Sequence, residues 1–173
     1  MKGLIHLYIG DGKGKTTAVV GLSVRACGRN KKVVFAQFLK SGVTGELESL
    51  EKLGIKIIRS TKQFGFTHLM DEETRKACRA EHEDIINRIN AELKSEDVDL
   101  LVLDEILDAV NTGMLCEEIF RSLVETKAET LELAITGRNP ASWLVERADY
   151  ISDVKKVKHP FDKGVQARIG IEA

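Results

Sequence analysis

The sequence has little proline, few aromatic residues and no long hydrophobic run. Only two prolines occur, and no linker, repeat or low-complexity stretch divides the chain, so we expect residues 1–173 to form a single domain. No apolar run approaches the length needed to cross a bilayer, and the amino terminus lacks the apolar core and cleavage site of a signal peptide. These absences predict a cytoplasmic protein without a membrane partner.

Excess charge of either sign is missing as well. The formal net charge is -1, although charged residues make up 31% of the chain. Without a large basic field, no nucleic-acid partner is expected. The cysteines, Cys27, Cys78 and Cys116, are odd in number and widely spaced, and they form no C-x-x-C pair. This pattern fits reduced thiols better than a disulfide framework or a zinc site.

What the chain does contain is a glycine-rich turn after its first apolar run, residues 4–9. Glycines allow several backbone N–H groups to point at one anion, and the helix predicted from about Lys15 adds its positive amino-terminal end. Lys15 would reach the outer phosphates, and the Thr16 hydroxyl would hold Mg²⁺. The pattern predicts a nucleoside triphosphate site at Gly10, Asp11, Gly12, Lys13, Gly14, Lys15, Thr16 and Thr17.

This loop is one residue shorter than the common pattern G-x-x-x-x-G-K-[ST]. The first glycine of that pattern would fall at position 9, which is Ile9, and the first glycine here is Gly10. The alternative is an ordinary strand-to-helix turn without a ligand, but Gly-Lys-Thr after a strand is a specific combination. A tighter loop would hold the triphosphate differently from a hydrolase or a kinase.

Apolar strands and amphipathic helices alternate along the rest of the chain. We predict strands at 32–38, 55–59, 99–103, 130–135 and 150–154, and helices at 17–29, 45–53, 71–94, 117–126 and 141–147. Strands that are apolar throughout and separated by helices indicate an α/β fold with a mostly parallel sheet of about six strands and helices on both faces. The ligand of such a sheet binds at the carboxyl ends of its strands.

Two acidic residues, Asp104 and Glu105, end the aliphatic strand 99–103. In nucleotide-binding proteins of this kind, the first acid assists Mg²⁺ and the second commonly prepares a nucleophilic water. Alternatively, Asp104 only caps a following helix. Whether Glu105 activates water decides between a hydrolase and a transferase.

Three further segments are candidate ligand contacts. Arg138 follows the strand 130–135 and would contact a phosphate or the substrate, unless it is a solvated loop arginine. The loop Phe64-Gly65-Phe66-Thr67-His68 concentrates aromatic residues in a chain with only 5% of them, so it contacts a flat ligand or folds into the core. His68 is a metal ligand, an acid or base, or an exposed histidine. The glycine-containing tail 158–172 packs over a site or frays.

Together these motifs resemble the ATP:corrinoid adenosyltransferases. The similar stretches follow that family's order along the chain: residues 10–18, 24–26, 37–40, 45–46, 65–67, 102–105, 136–138, 157–164 and 170–172. The short phosphate loop and the terminal segment are the specific part, since neither occurs in this form in kinases. The resemblance implies a P-loop NTPase fold of RecA-like type, a homodimer and a reducing flavoprotein as partner.

The resemblance also implies a reaction and its participants. A reduced corrinoid, with cobalt(I) as nucleophile, attacks the ribose 5′ carbon of ATP, and the whole triphosphate leaves. ATP is held in the reverse sense along the loop, and no base is needed to activate water. Carried over, Lys15, Thr16 and Glu105 are the catalytic residues, and Thr16 with Asp104 or Glu105 binds Mg²⁺ or Mn²⁺. Phe66 and His68 face the corrinoid, and Arg138 contacts a substrate.

The chain departs from this family's pattern in three places. Relatives usually carry an amino-terminal extension that helps to cover the corrinoid, and here only Met1 and Lys2 precede the strand, so we expect that cover to be absent. His68 stands where a tryptophan is frequent, at a position that helps to displace the lower cobalt ligand. Residues 106–113 replace a more aromatic segment.

Two other functions remain open on the sequence. One is a RecA-like ATPase or small-molecule kinase with Glu105 as base, which would release ADP. The other is a nucleotide-gated carrier that binds a corrinoid without turnover.

Overall fold

A parallel β-sheet lies at the centre of the protein. The computed structural model describes residues 2–40, 42, 44–65 and 67–171. Within these residues the strands are β1 (Ile5–Ile9), β2 (Val33–Gln37), β3 (Lys56–Arg59), β4 (Leu100–Asp104), β5 (Glu132–Gly137) and β6 (Tyr150–Asp153). The helices are α1 (Lys15–Cys27), α2 (Gly45–Lys52), α3 (Glu72–Ser95), α4 (Ile106–Asn111), α5 (Glu117–Glu125) and α6 (Ser142–Arg147), with short 3₁₀ helices at Thr67–Leu69 and Pro160–Lys163.

The strand order is β3-β2-β4-β5-β1-β6, and every neighbouring pair runs parallel. All carboxyl ends therefore lie along one edge of the sheet. The loops that follow β1, β4 and β5 are neighbours there, because β5 lies between the other two strands. This topology brings segments distant in sequence to one edge, where parallel sheets bind ligands.

Helices cover both faces of the sheet, as alternate residues of β2 demonstrate. Val33 and Phe35 belong to a buried cluster that includes residues of α1 and α2. Val34 and Ala36 belong to a second cluster, with residues of α3, α4, α5 and α6. Burial on both faces explains why the inner strands β2 and β4 are almost entirely apolar. The edge strand β6 is exposed along its length. The predicted α/β fold class is confirmed.

The predicted elements are present, with shifted ends. β4 extends to Asp104 and β5 to Gly137, so that two predicted site segments begin inside strands. The sequence analysis did not predict α4, which follows directly after Glu105. Among the helices that the structure describes, none is both long and apolar enough to cross a membrane.

Candidate functional site

A cavity of about 570 Å³ lies at the carboxyl edge of the sheet. The loop between β1 and α1 forms one side of it, and residues at or after the carboxyl ends of β2, β4 and β5, the start of α2 and the tail from His159 to Ile171 contribute the rest. The predicted site residues that line it are Asp11, Gly12, Lys13, Gly14, Lys15, Thr16, Thr17, Glu105 and Arg138. The structure thus brings most of the predicted phosphate-binding and acidic residues together around one space.

The Lys15 side chain folds back over the loop that precedes it. Its ammonium donates hydrogen bonds to the carbonyl oxygens of Gly10, at 2.6 Å, and Gly12, at 2.9 Å. Burial, together with the nearby charge of Arg138, lowers the pKa of Lys15. A phosphate offers this ammonium a charged acceptor, which makes a stronger hydrogen bond than a neutral carbonyl.

Two of the loop glycines are required by packing. The Gly12 N–H donates to the carbonyl oxygen of Val154 at 2.7 Å, and a Cβ on Gly12 would lie 2.6 Å from that oxygen. A Cβ on Gly10 would lie 2.5 Å from the same atom. The segment after β6 therefore packs against the loop and supports it. The N–H of Gly12 serves this contact, whereas the sequence pattern predicts loop N–H groups that face an anion.

Asp104 is the last residue of β4 and is completely buried. Its Oδ1 accepts hydrogen bonds from the hydroxyls of Thr16, at 2.9 Å, and Thr136, at 2.8 Å. Its Oδ2 accepts from the Gln37 amide at 3.2 Å and from the Lys40 ammonium at 3.3 Å. The Asp104 side chain therefore joins the phosphate loop to three strand ends, and it does not cap α4.

Glu105 precedes α4 in a left-handed backbone conformation, with φ 61°. Its N–H donates to the Thr136 hydroxyl at 2.8 Å, and its Oε1 lies 3.0 Å from the Lys40 ammonium. Burial raises the pKa of Glu105, and the charge of Lys40 opposes this effect. Burial alone would lower the pKa of Lys40, but the carboxylates of Asp104 and Glu105 outweigh it and raise that pKa.

The oxygen atoms of Thr16, Asp104 and Glu105 fit a magnesium ion. Mg²⁺ prefers hard oxygen ligands and usually takes one or two carboxylates, with waters and substrate phosphates completing its shell. The described residues include no group of three or more His, Cys, Asp or Glu side chains suited to a metal. Two carboxylates and one hydroxyl leave the remaining positions of a six-coordinate Mg²⁺ to waters and substrate phosphates.

Arg138 follows β5 at the edge of the cavity. Its Nε lies 3.3 Å from Asp11 Oδ1, and one terminal nitrogen lies 3.2 Å from Asp108 Oδ1. The guanidinium is half exposed and lines the same cavity as Lys15. Two carboxylates thus hold a second cation at the phosphate loop, which favours a ligand contact over the alternative of a solvated loop arginine.

The segments expected to contact the corrinoid are only partly described. Phe66 and Glu172 lie outside the described residues. His68 lies in the 3₁₀ helix Thr67–Leu69 and is exposed, and no described residue between 61 and 70 lines the cavity. The corrinoid contact of Phe66 and His68 therefore stays a prediction. In the tail, His159, Pro160 and Phe161 line the cavity, but Phe161 is 68% exposed, so the tail borders the site without being buried against it.

The sequence analysis assigned no individual role to three side chains that contribute to the site. Lys40 contacts the acidic pair, while Gln37 and Thr136 bind Asp104. The predicted strands could have indicated these residues, because each of the three lies at or just beyond the carboxyl end of a predicted strand. The cavity-lining carboxylate of Asp108 had no such signal, because α4 was not predicted.

Known proteins resemble this chain over its whole length. Residues 1–173 match the family described as ATP:corrinoid adenosyltransferase BtuR/CobO/CobP. The corrinoid adenosyltransferase of Escherichia coli (strain K12) is 35% identical, an alignment that covers 99% of this chain and 86% of that protein. Corrinoid adenosyltransferase CobA of Salmonella typhimurium is 33% identical, with the same coverage of both chains. The Pseudomonas aeruginosa corrinoid adenosyltransferase is 31% identical and covers 99% of this chain and 84% of its own length. The family match spans the whole chain, and the short phosphate loop lies beside the acidic pair. The chain therefore belongs to the ATP:corrinoid adenosyltransferase family.

Proposed function

We propose that this protein transfers the 5′-deoxyadenosyl group of ATP to the cobalt(I) of a corrinoid, in adenosylcobalamin synthesis or salvage. The C5′–O bond of ATP breaks, and its electron pair leaves with the triphosphate. The cobalt(I) supplies the pair for the new cobalt–carbon bond. The observation that carries the proposal is the hydrogen bond from Thr16 to Asp104, which joins the phosphate loop to the acidic pair in a chain of this family.

The loop from Gly10 to Thr17 holds the triphosphate, with Lys15 and Arg138 as its cations. Thr16, Asp104 and Glu105 would hold Mg²⁺, or Mn²⁺ in its place. When bound, the metal neutralises charge that develops on the leaving triphosphate. Because the nucleophile is the cobalt, the reaction needs no base to activate water.

The corrinoid binds against Phe66 and His68, a proposal that rests on the resemblance of residues 65–67 to the family motif. We propose further that the chain is a single domain, since the described strands form one sheet. A cytoplasmic homodimer that receives electrons from a reducing flavoprotein completes the proposal, again on family resemblance.

The test is anaerobic incubation with ATP, Mg²⁺ and chemically reduced cobalamin, followed through the cobalt absorption spectrum. We expect formation of the adenosylated corrinoid with one triphosphate released per turnover. Release of ADP and phosphate would indicate the ATPase or kinase alternative. Binding of both substrates without a spectral change would indicate a carrier.

The Lys15→Ala variant tests the phosphate loop in the same assay. Loss of a charge-assisted contact of this kind weakens ATP binding by a factor of roughly ten to a hundred and fifty. Calorimetric titration with ATP measures the change, and an unaltered affinity would contradict the loop assignment.

A further inference from the structure

Lys40 lies at the point where the proposed metal ligands converge. Its ammonium is 3.3 Å from Thr16 Oγ1, 3.3 Å from Asp104 Oδ2 and 3.0 Å from Glu105 Oε1. A lysine ammonium has three N–H donors, and three oxygen atoms surround this one. The side chain is 29% exposed, whereas that of Asp104 is completely buried. The contact therefore supplies positive charge to a carboxylate that solvent does not reach.

The backbone around Lys40 is held in place by long-range contacts. Leu39, the residue before it, has the left-handed φ of 59°, which is unfavourable for a side chain of its size. His82 of α3 accepts the Leu39 N–H at 3.1 Å. Arg59 donates to the carbonyl oxygens of Lys40, at 3.2 Å, and Gly42, at 2.8 Å. Anchoring of this kind distinguishes Lys40 from exposed ion pairs that form by chance.

A divalent metal and this ammonium cannot share the same three oxygen atoms. Two cations in contact repel each other, and Thr16, Asp104 and Glu105 are the residues assigned to the metal. Lysine carries its charge on a flexible four-carbon stem, so the ammonium can move while its backbone stays fixed. Lys40 also lines the cavity that contains Lys15 and Arg138, where the triphosphate of the proposed function binds.

We propose that Lys40 is an exchangeable counter-ion, which neutralises Asp104 and Glu105 before nucleotide binds and is displaced by Mg²⁺ onto the triphosphate. This inference rests on the proposed function. In the reaction, the C5′–O bond breaks and its electron pair goes to the triphosphate, where Lys40 joins Lys15 and Arg138 as a cation for the leaving group. Lys40 is thus a further catalytic residue. Before nucleotide binds, the same ammonium neutralises the negative charge of Asp104 and Glu105.

The first test measures metal binding without nucleotide. Mn²⁺ is titrated into the wild type and into Lys40→Gln, with the unbound ion followed by electron paramagnetic resonance. Removing a charged competitor should tighten Mn²⁺ binding in Lys40→Gln, roughly tenfold for one charge-assisted contact. The matched control is Lys52→Gln, which makes the same charge change at an exposed ion pair with Glu48. The control should bind Mn²⁺ like the wild type.

The second test measures the binding of tripolyphosphate with Mg²⁺ by calorimetry. Lys40→Gln should bind it roughly ten- to a hundredfold more weakly, because one cation no longer reaches the anion. Lys40→Arg keeps the charge and should recover much of this loss, while Lys52→Gln should not differ from the wild type. Circular dichroism melting curves verify that each variant is folded.

Tighter Mn²⁺ binding together with weaker tripolyphosphate binding in Lys40→Gln supports the exchange. Weaker binding of both ligands in folded Lys40→Gln would assign Lys40 a structural role and overturn the proposal. Tighter Mn²⁺ binding with unchanged tripolyphosphate affinity would overturn the transfer to the triphosphate. These results differ from failure of the proposed function, in which the wild type itself would not bind tripolyphosphate.

Discussion

His82 Nε2 accepts the backbone N–H of Leu39 at 3.1 Å and thereby joins α3 to the loop that follows β2. The other ring nitrogen, Nδ1, donates to the carbonyl oxygen of Cys78 at 2.7 Å. One nitrogen accepts and the other donates, so the ring is neutral and its tautomer is fixed. The Phe38 ring stacks on it, with 5.7 Å between the centroids. A protonated ring would direct an N–H at the N–H of Leu39.

We predict that His82 makes stability depend on pH in the acidic range. Burial lowers the pKa of His82, while its hydrogen bond to Cys78 and the charge of Glu81 oppose the shift. Lys40 and Lys62 line the same small cavity. Between the folded-state pKa and the ordinary value of about 6.5, the unfolded chain binds more protons. The contribution of His82 to the free energy of unfolding is therefore complete above about pH 6.5, and it decreases as the pH falls below that value.

Urea unfolding at a series of pH values measures this dependence. His82→Gln provides the matched variant, because its amide oxygen accepts the Leu39 N–H but does not titrate. Its free energy of unfolding should decrease less than that of the wild type as the pH falls through this range. Equal slopes for the two proteins would show that His82 does not titrate differently on unfolding.

Two glycine-to-alanine substitutions should have opposite effects. A Cβ on Gly12 would meet the backbone of Val154 at 2.6 Å and of Lys155 at 2.9 Å, so the loop or its support must move. Overpacking of this kind costs about 1–3 kcal/mol, and we expect weaker ATP binding as well as a lower melting temperature. Gly21 lies within α1, and a Cβ added there would meet no atom within 4 Å, so Gly21→Ala should stabilise the protein by about 0.5–1 kcal/mol. Thermal unfolding and ATP titration of both variants test the pair, and destabilisation by Gly21→Ala would contradict it.

Glu105→Gln distinguishes a metal ligand from a base. A neutral amide oxygen binds a hard cation less well than a carboxylate, so the variant should lose rate at low Mg²⁺ and regain part of it at high Mg²⁺. The initial rate of adenosylation across a Mg²⁺ series measures this. If turnover is absent at every Mg²⁺ concentration while ATP still binds, Glu105 prepares a water molecule and the transferase role of this residue is wrong.

The sequence predicts which strand ends meet, but not the loops between them. Thr16 and Asp104 are 88 residues apart, and their hydrogen bond follows from parallel strands whose carboxyl ends share an edge. The position of Lys40 does not follow in this way, since it depends on the left-handed backbone of Leu39 and on a histidine 43 residues further along. The close contact of Gly12 with Val154 is also a long-range packing effect. No periodicity encodes contacts of this kind.

The segment that carries His68 is attached to the rest of the protein. Arg75 of α3 donates to the carbonyl oxygen of Thr67 at 3.0 Å and to that of Thr112 at 2.9 Å. The 3₁₀ helix Thr67–Leu69 therefore has a defined position relative to α3 and to the residues after α4. Leu69, the residue after His68, is 73% exposed. A larger side chain at either position should be accommodated without disturbing the core.

On the proposed function, His68→Trp should assist the reduction of the corrinoid. An indole is larger and less polar than an imidazole, so it should displace the lower cobalt ligand more completely. We expect a larger fraction of bound cobalt(II) corrinoid without its lower ligand, and faster adenosylation with a weak reductant. With cobalt(I) prepared in advance the rate should change little, because reduction no longer limits it. The matched control, Leu69→Trp, adds the same indole one residue away and should leave the cobalt(II) spectrum unchanged. If His68→Trp leaves the cobalt(II) spectrum unchanged, alters it no more than Leu69→Trp does, or slows both assays equally, the corrinoid contact must be sought at Phe64, Phe66 and the tail from His159 to Phe161.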